Sequence, residues 1–318
     1  MIILVQNEEV IAIGVYIVDE ETLEKKSIIR QIYGILTTLV IVFLVIGYTG
    51  FIAFILSQPK YITFLTLAFY EYLNVPMSQS IFIGITFLLL LFLLGSLLYL
   101  FLNKRMGLLK EIKGFGKRYT FTFSEAFYIS FFGSFILIFL LPLTQPTNQA
   151  SMEVIIFYAY FATSIAPVIE EIVFRMAFLL IPIAIKEKFW KNKEKSFLVV
   201  LQGKDRLDNI DMILLGISSL AFGLAHYYGG WEFNKVFQAT FLGLFLGYVA
   251  LRGGIFSSIT FHWTWNILST LVVIIHVIGA KYQPLILLII GFLYLIVIGL
   301  GVIALITSAL RFFTKSYV

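Results

Sequence analysis

One short stretch of the chain places three ionisable residues inside otherwise apolar sequence. It reads Glu-Glu-x-x-x-Arg, with Glu170, Glu171 and Arg175 set among isoleucine, valine and phenylalanine. A charge near the centre of a bilayer costs roughly 2.5–3.5 kcal/mol on insertion scales, so such residues are rare there and usually functional. Carboxylates in these surroundings are typical of general acid–base chemistry.

Helical geometry predicts different roles for the two glutamates. Glu171 and Arg175 are four residues apart, so on a helix they lie on one face and can pair. Glu170 points elsewhere, since successive helical residues are about 100° apart, and it has no local counter-charge. Glu170 is therefore the candidate general base. The Glu171–Arg175 pair is interpreted as an internal brace of the helix. The alternative is that all three residues only pair with other helices.

Two further apolar stretches carry histidines. One reads Phe-x-x-x-His (Phe222, His226) and the other reads His-x-x-x-Asn (His262, Asn266). The four-residue spacing puts His262 and Asn266 on one helical face. A single histidine in a membrane helix is more typical of a hydrogen-bonded core residue, but two imidazoles, an amide and a carboxylate together suit hydrolysis. We predict that His276, the third histidine, is not catalytic.

The composition requires these residues to be positioned by membrane helices. The chain of 318 residues is 60% hydrophobic and 13% charged, with no cysteine, so disulfides and thiolate metal sites are excluded. A span needs about 20 mostly apolar residues. The sequence therefore predicts an all-α, polytopic transmembrane bundle. About eight spans are expected, at residues 32–56, 81–102, 123–143, 152–185, 212–227, 234–251, 255–279 and 285–310.

Lysine and arginine are distributed unequally between the two sides of this bundle. They cluster before the first span, in the second and fourth connections and at the C-terminal end. The positive-inside rule then predicts that both termini are cytoplasmic. We expect an N-terminal arm outside the membrane at residues 1–26 and one transmembrane domain at 27–318, with a motif-bearing core at 152–270. The basic connections are interpreted as topology signals and lipid contacts.

Two spans have features of their own. The fourth is too long for one straight crossing, so we expect it to tilt, to kink at Pro167 or to extend past the bilayer. The sixth contains Gly243 and Gly247 in a GxxxG pattern, which predicts a close approach between two helices.

Together, the three motifs resemble the CPBP family of membrane proteases, which includes the type II CAAX prenyl endopeptidases and proteins linked to bacteriocin processing and immunity. Their order matches that of the family, and so does the layout of eight spans. The resemblance implies an intramembrane endopeptidase, with CAAX-type C-terminal processing as one form of that activity. By motif position, Glu170 and His226 would activate a water molecule, while His262 and Asn266 would bind the developing oxyanion.

The resemblance leaves the role of a metal open. It implies either a glutamate protease or a metalloprotease, because Glu170, His226 and His262 are also a plausible ligand set for Zn²⁺ with one open position. The Glu171–Arg175 pair would hold the fourth helix in place. The implied partners are the lipid bilayer and a peptide or protein substrate, prenylated in the CAAX case, with no nucleic acid.

Two other functional classes stay open at this point. A secondary transporter or channel would also carry intramembrane charges, although its fold usually has internal repeats, and the charges here cluster in the second half of the chain. A non-catalytic immunity or scaffold protein of the same fold is the second alternative. In every case the expected location is an integral, multi-pass membrane protein, which in a prokaryote would lie in the cell membrane.

Overall fold

The computed structural model of the chain describes residues 20–74, 76–103, 106–112, 121–141, 151–191, 196–278 and 283–315. Within these ranges every regular element is helical and no strand occurs, which confirms the all-α prediction. Most of the predicted N-terminal arm, residues 1–19, lies outside the described residues, and the first helix begins at Glu20. The α-helices and the two π-helical segments, π1 and π2, are α1 Glu20–Leu56, α2 Pro59–Leu73, α3 Gln79–Leu102, α4 Leu108–Ile112, α5 Phe123–Leu140, α6 Met152–Tyr160, π1 Phe161–Ile165, α7 Ala166–Glu170, π2 Glu171–Leu180, α8 Ile181–Lys191, α9 Leu198–Gln202, α10 Asn209–Tyr228, α11 Phe233–Gly253, α12 Ile255–Ile278 and α13 Gln283–Lys315.

Among the described residues, seven helices are long and apolar enough to cross a membrane, and the chain is an integral, multi-pass membrane protein. They correspond to seven of the eight predicted spans. The fourth predicted span is not among them, because its helical turns are divided between α and π geometry from residue 152 to residue 191. The seven candidate spans are Ile28–Leu56, Gln79–Leu102, Phe123–Leu140, Asn209–Tyr228, Phe233–Gly253, Ile255–Ile275 and Pro284–Leu310.

The fourth predicted span stays helical throughout, but it contains two π-helical segments. In π1 the helix widens, and the N–H of Ala166 donates to the carbonyl of Phe161, five residues back. Pro167 follows at the start of α7, where its missing N–H and fixed φ favour a change of register. Such π-helical turns are rare and often lie at functional sites. The π-helical turn ends at Ile165, two residues before Pro167, while the expected tilt, kink or extension of this span stays a prediction.

Helix α12 lies at the centre of the bundle, and 72% of its apolar window is buried, more than for any other candidate span. It packs against α1, α3, α6, α11 and π2. Its large side chains Phe261, Trp263 and Leu268 are almost entirely enclosed. A helix surrounded by protein in this way gives the side chains that it carries fixed positions.

Helices α10 and α11 approach each other closely through glycines, as the GxxxG pattern predicted. A Cβ at Gly247 would collide with the side chain of Leu215 on α10. On the facing helix, a Cβ at Gly223 would lie 2.7 Å from the carbonyl oxygen of Val236. The absence of side chains at these positions lets the two helix backbones come together, which sets the position of His226 near the end of α10.

The fourth basic connection includes a buried ion cluster, and its interpretation as a topology signal and lipid contact stays a prediction. The ammonium of Lys186 lies 2.8 Å from Asp208 Oδ1, and that of Lys204 lies 2.7 Å from Glu187 Oε1. Both lysines also donate to Asp211, which is fully buried. Burial of these charges is tolerated because they are paired, so two of the lysines in this connection hold α8 to the start of α10.

Candidate active site

His262 on α12 stands between the two adjacent carboxylates of the fourth predicted span. Its Nδ1 lies 2.9 Å from Glu171 Oε1, and its Nε2 lies 3.6 Å from Glu170 Oε2. The carboxylate can only accept, so the Nδ1–H of His262 donates to Glu171 and Nε2 faces Glu170. The side chain of Glu170 is 27% exposed, whereas those of Glu171 and His262 are buried. Glu170 is therefore the more exposed carboxylate of this pair.

Glu171 is held by three neighbours. It accepts hydrogen bonds from His262 and from the hydroxyl of Ser258, and its Oε2 lies 3.5 Å from the Nε of Arg175. The predicted pairing of Glu171 with Arg175 is present, and both side chains are fully buried. Glu171 thus does more than brace Arg175, because it also fixes the ring of His262. Ser258 lies four residues before His262, and that spacing is the signal by which it could have been found in the sequence.

Arg175 joins three helices at the site. Its guanidinium lies 4.2 Å from the ring centroid of Phe222 on α10, which is a cation–π distance. Its Nη2 donates to the carbonyl of Gly243 on α11 at 3.4 Å, at the point where glycine lets that helix come close. Together with the ion pair to Glu171, these contacts position π2 against α10 and α11.

Phe222 separates and orients the two histidines. The Nδ1–H of His226 donates to the carbonyl of Phe222 at 2.9 Å, so the Nε2 of His226 is left for other partners. The ring of Phe222 meets the ring of His226 edge-on at 4.7 Å and the ring of His262 edge-on at 5.8 Å, measured between centroids. The predicted histidines therefore converge around one aromatic ring. The side chain of His276 lies outside the described part of the chain.

Asn266 faces the π-helical turn of the fourth predicted span. Its Nδ2 donates to the carbonyl oxygen of Ala162 in π1 at 2.8 Å. A primary amide carries two N–H donors, so one of them remains for another acceptor. Asn266 is partly buried, one helical turn after His262 on the same helix. It is thus on the predicted face, but part of its hydrogen-bonding capacity is used by the backbone of its neighbour.

Lys235 is a partly buried lysine in the first turn of α11 that the sequence did not single out. Its ammonium donates to the Oε1 of Gln238 at 2.9 Å and lies 5.1 Å from the ring centroid of Trp231. In the sequence, Lys235 resembles an ordinary loop lysine that precedes a membrane span. Its position depends on the close packing of α10 on α11, which no local pattern around Lys235 indicates.

The three predicted zinc ligands are spread more widely than a preformed ion site in this arrangement. Within the described ranges, the ligand atoms of Glu170, His226 and His262 do not all come within 4.8 Å of one another. In the same ranges, one group of three residues does have its ligand atoms this close together, and it consists of Glu187, Asp208 and Asp211. That set lies in the buried ion cluster, where the ammonium groups of two lysines already neutralise the carboxylates.

All three motifs fall within one segment of the chain that matches a known family. Residues 152–268 match the family model described as type II CAAX prenyl endopeptidase Rce1-like. This segment is similar to that family. The match confirms the resemblance predicted from the motifs and supports a membrane-protease function of CAAX type in general terms. No curated protein and no solved structure matches the chain.

Proposed function

We propose that the chain is an intramembrane endopeptidase that hydrolyses a peptide bond with a water molecule activated by Glu170. The observation that supports this most directly is the pair formed by Glu170 and His262. A partly exposed carboxylate lies 3.6 Å from an imidazole nitrogen, inside a segment that matches the Rce1-like family model. That separation is too long for a direct hydrogen bond, and a water molecule beside the two groups could contact both.

In the proposed reaction, Glu170 takes a proton from water and the resulting hydroxide attacks the substrate carbonyl carbon. The Nε2 of His226 helps to orient that water, since its Nδ1–H is already used by the Phe222 carbonyl. When the tetrahedral intermediate collapses, the C–N bond breaks and Glu170 returns its proton to the leaving amine. General acid–base catalysis of this kind contributes about 10²–10⁴-fold to a rate.

The oxyanion of that intermediate is assigned to His262 and Asn266. His262 can donate from Nε2 only in its doubly protonated form, because Nδ1–H is given to Glu171. Glu171, 2.9 Å from Nδ1, supplies the compensating negative charge for that form, because Glu170 carries the proton taken from water at this stage. Asn266 would use the N–H that Ala162 does not take. Donors of this type are worth about 10²–10³ in rate.

The substrate class proposed here is a peptide or protein processed at its C-terminus in the CAAX manner, with a prenyl group held in the lipid. The family match is the support for this choice. It also favours a protease over a transporter or channel. Because the predicted zinc ligands do not come together, the proposed chemistry is that of a glutamate protease, without a metal.

The test uses the purified full chain in proteoliposomes. A peptide ending in a prenylated CAAX sequence and its unprenylated counterpart are incubated in H₂¹⁸O, and the products are identified by mass spectrometry. We expect one ¹⁸O atom in the newly formed carboxyl group. Glu170→Gln should lose at least about 10²-fold in rate. Glu153→Gln, in the first turn of α6, is the matched control and should keep wild-type activity.

Three outcomes would count against parts of the proposal. A folded protein that cleaves neither peptide would favour the non-catalytic immunity or scaffold alternative. A Glu170→Gln protein with full activity would remove Glu170 from the mechanism. Loss of activity with a zinc chelator, followed by recovery on adding Zn²⁺, would show that the enzyme is a metalloprotease.

A further inference from the structure

One buried hydroxyl of α12 donates to a distant segment of the chain. Ser257, Thr260 and Thr264 each donate to the carbonyl four residues back, as serine and threonine in helices commonly do. Ser258, which is fully buried, instead donates to the Oε2 of Glu171 in π2. Its acceptor therefore belongs to another helix of the bundle and is a group of the candidate active site.

The hydroxyl of Ser258 has one proton and two neighbouring acceptors. Its oxygen lies 2.9 Å from the carbonyl oxygen of Leu246 on α11, and it also contacts the carboxylate of Glu171. Leu246 lies inside α11, where the N–H four residues further on donates to its carbonyl. An ionised carboxylate is the stronger acceptor of the two. The proton of Ser258 is therefore directed to Glu171 when that carboxylate is charged.

Ser258 gives the carboxylate of Glu171 a direction that Arg175 does not. The Nε of Arg175 lies 3.5 Å from Oε2, and among the described residues this Nε has no hydrogen-bond acceptor, so the pair is a charge contact. The last torsion of a glutamate side chain is broad. Two directional hydrogen bonds fix it here, one from Ser258 to Oε2 and one from the Nδ1 of His262 to Oε1 at 2.9 Å. Without the first, the carboxylate could turn about its last bond.

We propose that Ser258 is a positioning residue that holds His262 in its working orientation through Glu171. This inference rests on the proposed peptidase function. When Ser258 holds Oε2 of Glu171, Oε1 is directed at the Nδ1 of His262. The opposite ring nitrogen, Nε2, then faces the reacting groups, 3.6 Å from Glu170 Oε2. Donors that are fixed before the reaction stabilise an oxyanion best. Ser258 would thus contribute to the rate without touching the substrate.

The test measures kcat and KM for a cleavable peptide with the full chain in proteoliposomes. Ser258→Ala should lower kcat about 10-fold or more and leave KM within about 2-fold of wild type, because the misplaced donor acts in the transition state. Ser257→Ala is the matched control, since Ser257 is an equally buried serine of α12 whose hydroxyl donates to the nearby carbonyl of Gly253. It should keep the wild-type kcat and KM.

Two further variants of similar shape isolate the hydroxyl. Ser258→Thr and Ser258→Val both place two heavy atoms on Cβ, and only threonine keeps a hydroxyl. We expect the kcat of Ser258→Thr to exceed that of Ser258→Val by about 10-fold. This ratio tests the hydroxyl even if the added methyl group lowers both rates. Melting temperatures are measured on the same samples.

A spectroscopic measurement reports on the contact without any cleavage. The chain has three histidines, so ¹⁵N labelling of histidine gives three sets of ring signals, and His262→Gln identifies the set of His262. The Nδ1–H that is hydrogen-bonded to Glu171 should give a slowly exchanging proton signal in wild type and in Ser257→Ala. In Ser258→Ala we expect this signal to broaden or disappear, because the acceptor is no longer held.

The possible results separate this inference from the proposed function. If the wild-type protein cleaves no peptide, the peptidase function fails, and the role of Ser258 fails with it. A wild-type kcat in Ser258→Ala, or equal kcat values for folded Ser258→Thr and Ser258→Val, would overturn the role of Ser258 alone. An unchanged signal of the His262 Nδ1–H in Ser258→Ala would do the same, because it would show that the ring keeps its place without the hydroxyl.

Discussion

Asn266 occupies the hydrogen-bonding position that Pro167 leaves empty on the neighbouring helix. In the π register of this turn, each N–H donates five residues back, as Ala166 does to Phe161. The next donor would be residue 167, and its acceptor would be the carbonyl of Ala162. Proline has no N–H, and the Nδ2 of Asn266 donates to that carbonyl instead, at 2.8 Å.

This relationship predicts that the structural and catalytic roles of Asn266 can be separated. Asn266→Ala should lower the free energy of unfolding by about 1–3 kcal/mol, because it leaves the Ala162 carbonyl without a donor. It should also reduce the turnover rate by about 10²-fold if the second N–H binds the oxyanion. The double variant Pro167→Ala with Asn266→Ala supplies a backbone N–H near Ala162, so it should recover stability and not turnover. Melting temperature and rate are measured on the same preparations.

The double variant decides between the two roles. Recovery of both stability and rate would mean that Asn266 acts only as a structural donor. A single variant Asn266→Ala that is destabilised but fully active per folded molecule would lead to the same conclusion and remove Asn266 from the oxyanion site.

The two glutamates should respond differently to the same substitution. Glu170→Gln changes a partly exposed side chain, so we expect activity to be lost while the melting temperature stays near wild type. Glu171→Gln leaves the guanidinium of Arg175 buried without its counter-charge, which should cost about 3–5 kcal/mol of stability as well as activity. The melting temperature and the cleavage activity of both variants are measured in the same detergent. Equal stability of the two variants would contradict the division of roles.

The close contact between α10 and α11 predicts a contrast between two glycines of one helix. Gly223→Ala should be destabilising, because its Cβ would lie 2.7 Å from the Val236 carbonyl oxygen and force the helices apart. Gly216→Ala on the same helix should be neutral or slightly stabilising, since nothing lies within 4 Å of its Cβ position. Melting temperatures of the two variants provide the comparison, and a stable Gly223→Ala would argue against the contact.

Glu111, in the short helix α4 outside the spans, predicts a pH dependence of stability. Burial raises the pKa of this carboxyl from 4.5 to about 7, against the opposing effect of its hydrogen bonds with Ser124. In this pH window the folded chain binds more protons than the unfolded chain, so stability should fall as pH rises from about 4.5 to 7. The loss attributable to Glu111 is roughly 3 kcal/mol, from the free energy that corresponds to one pKa unit.

Replacing Glu111 by glutamine should remove this dependence. We expect the stability of Glu111→Gln relative to wild type to increase between pH 5 and pH 8, roughly the window set by the raised pKa. Glu71→Gln, at an exposed position of α2, is the control and should run parallel to wild type. Unfolding followed across this pH range measures the difference, and parallel curves for Glu111→Gln and wild type would refute the assignment.

The part of the site that obeys helical spacing could be predicted from the sequence. The pairing of Glu171 with Arg175 and the close approach at Gly243 and Gly247 both follow from residues on one face of a helix. The seven membrane helices follow from long apolar runs, whose backbone can be satisfied in lipid only by helical hydrogen bonds. Which side of the membrane holds the termini stays a prediction.

The rest depends on contacts between distant segments, which local patterns do not indicate. Nothing near Glu171 in the sequence shows that His262, 91 residues later, donates to it. The π-helical turns have only Pro167 as a local signal. The carbonyl of Ala162 in the first of them accepts its hydrogen bond from Asn266 on another helix. In the sequence, Lys186 resembles any other basic loop residue. Only the fold shows that it pairs with Asp208, the residue just before α10.

The three-helix contact of Arg175 limits how this chain can be recombined with others. One guanidinium connects the acidic segment, the ring of Phe222 and the backbone at Gly243, so a graft that exchanges the acidic segment alone would have to rebuild contacts with two other helices at once. Junctions for hybrid chains therefore belong in the connections before residue 152 and after α12. Helix α13, whose apolar window is only 17% buried, is the natural piece to exchange first.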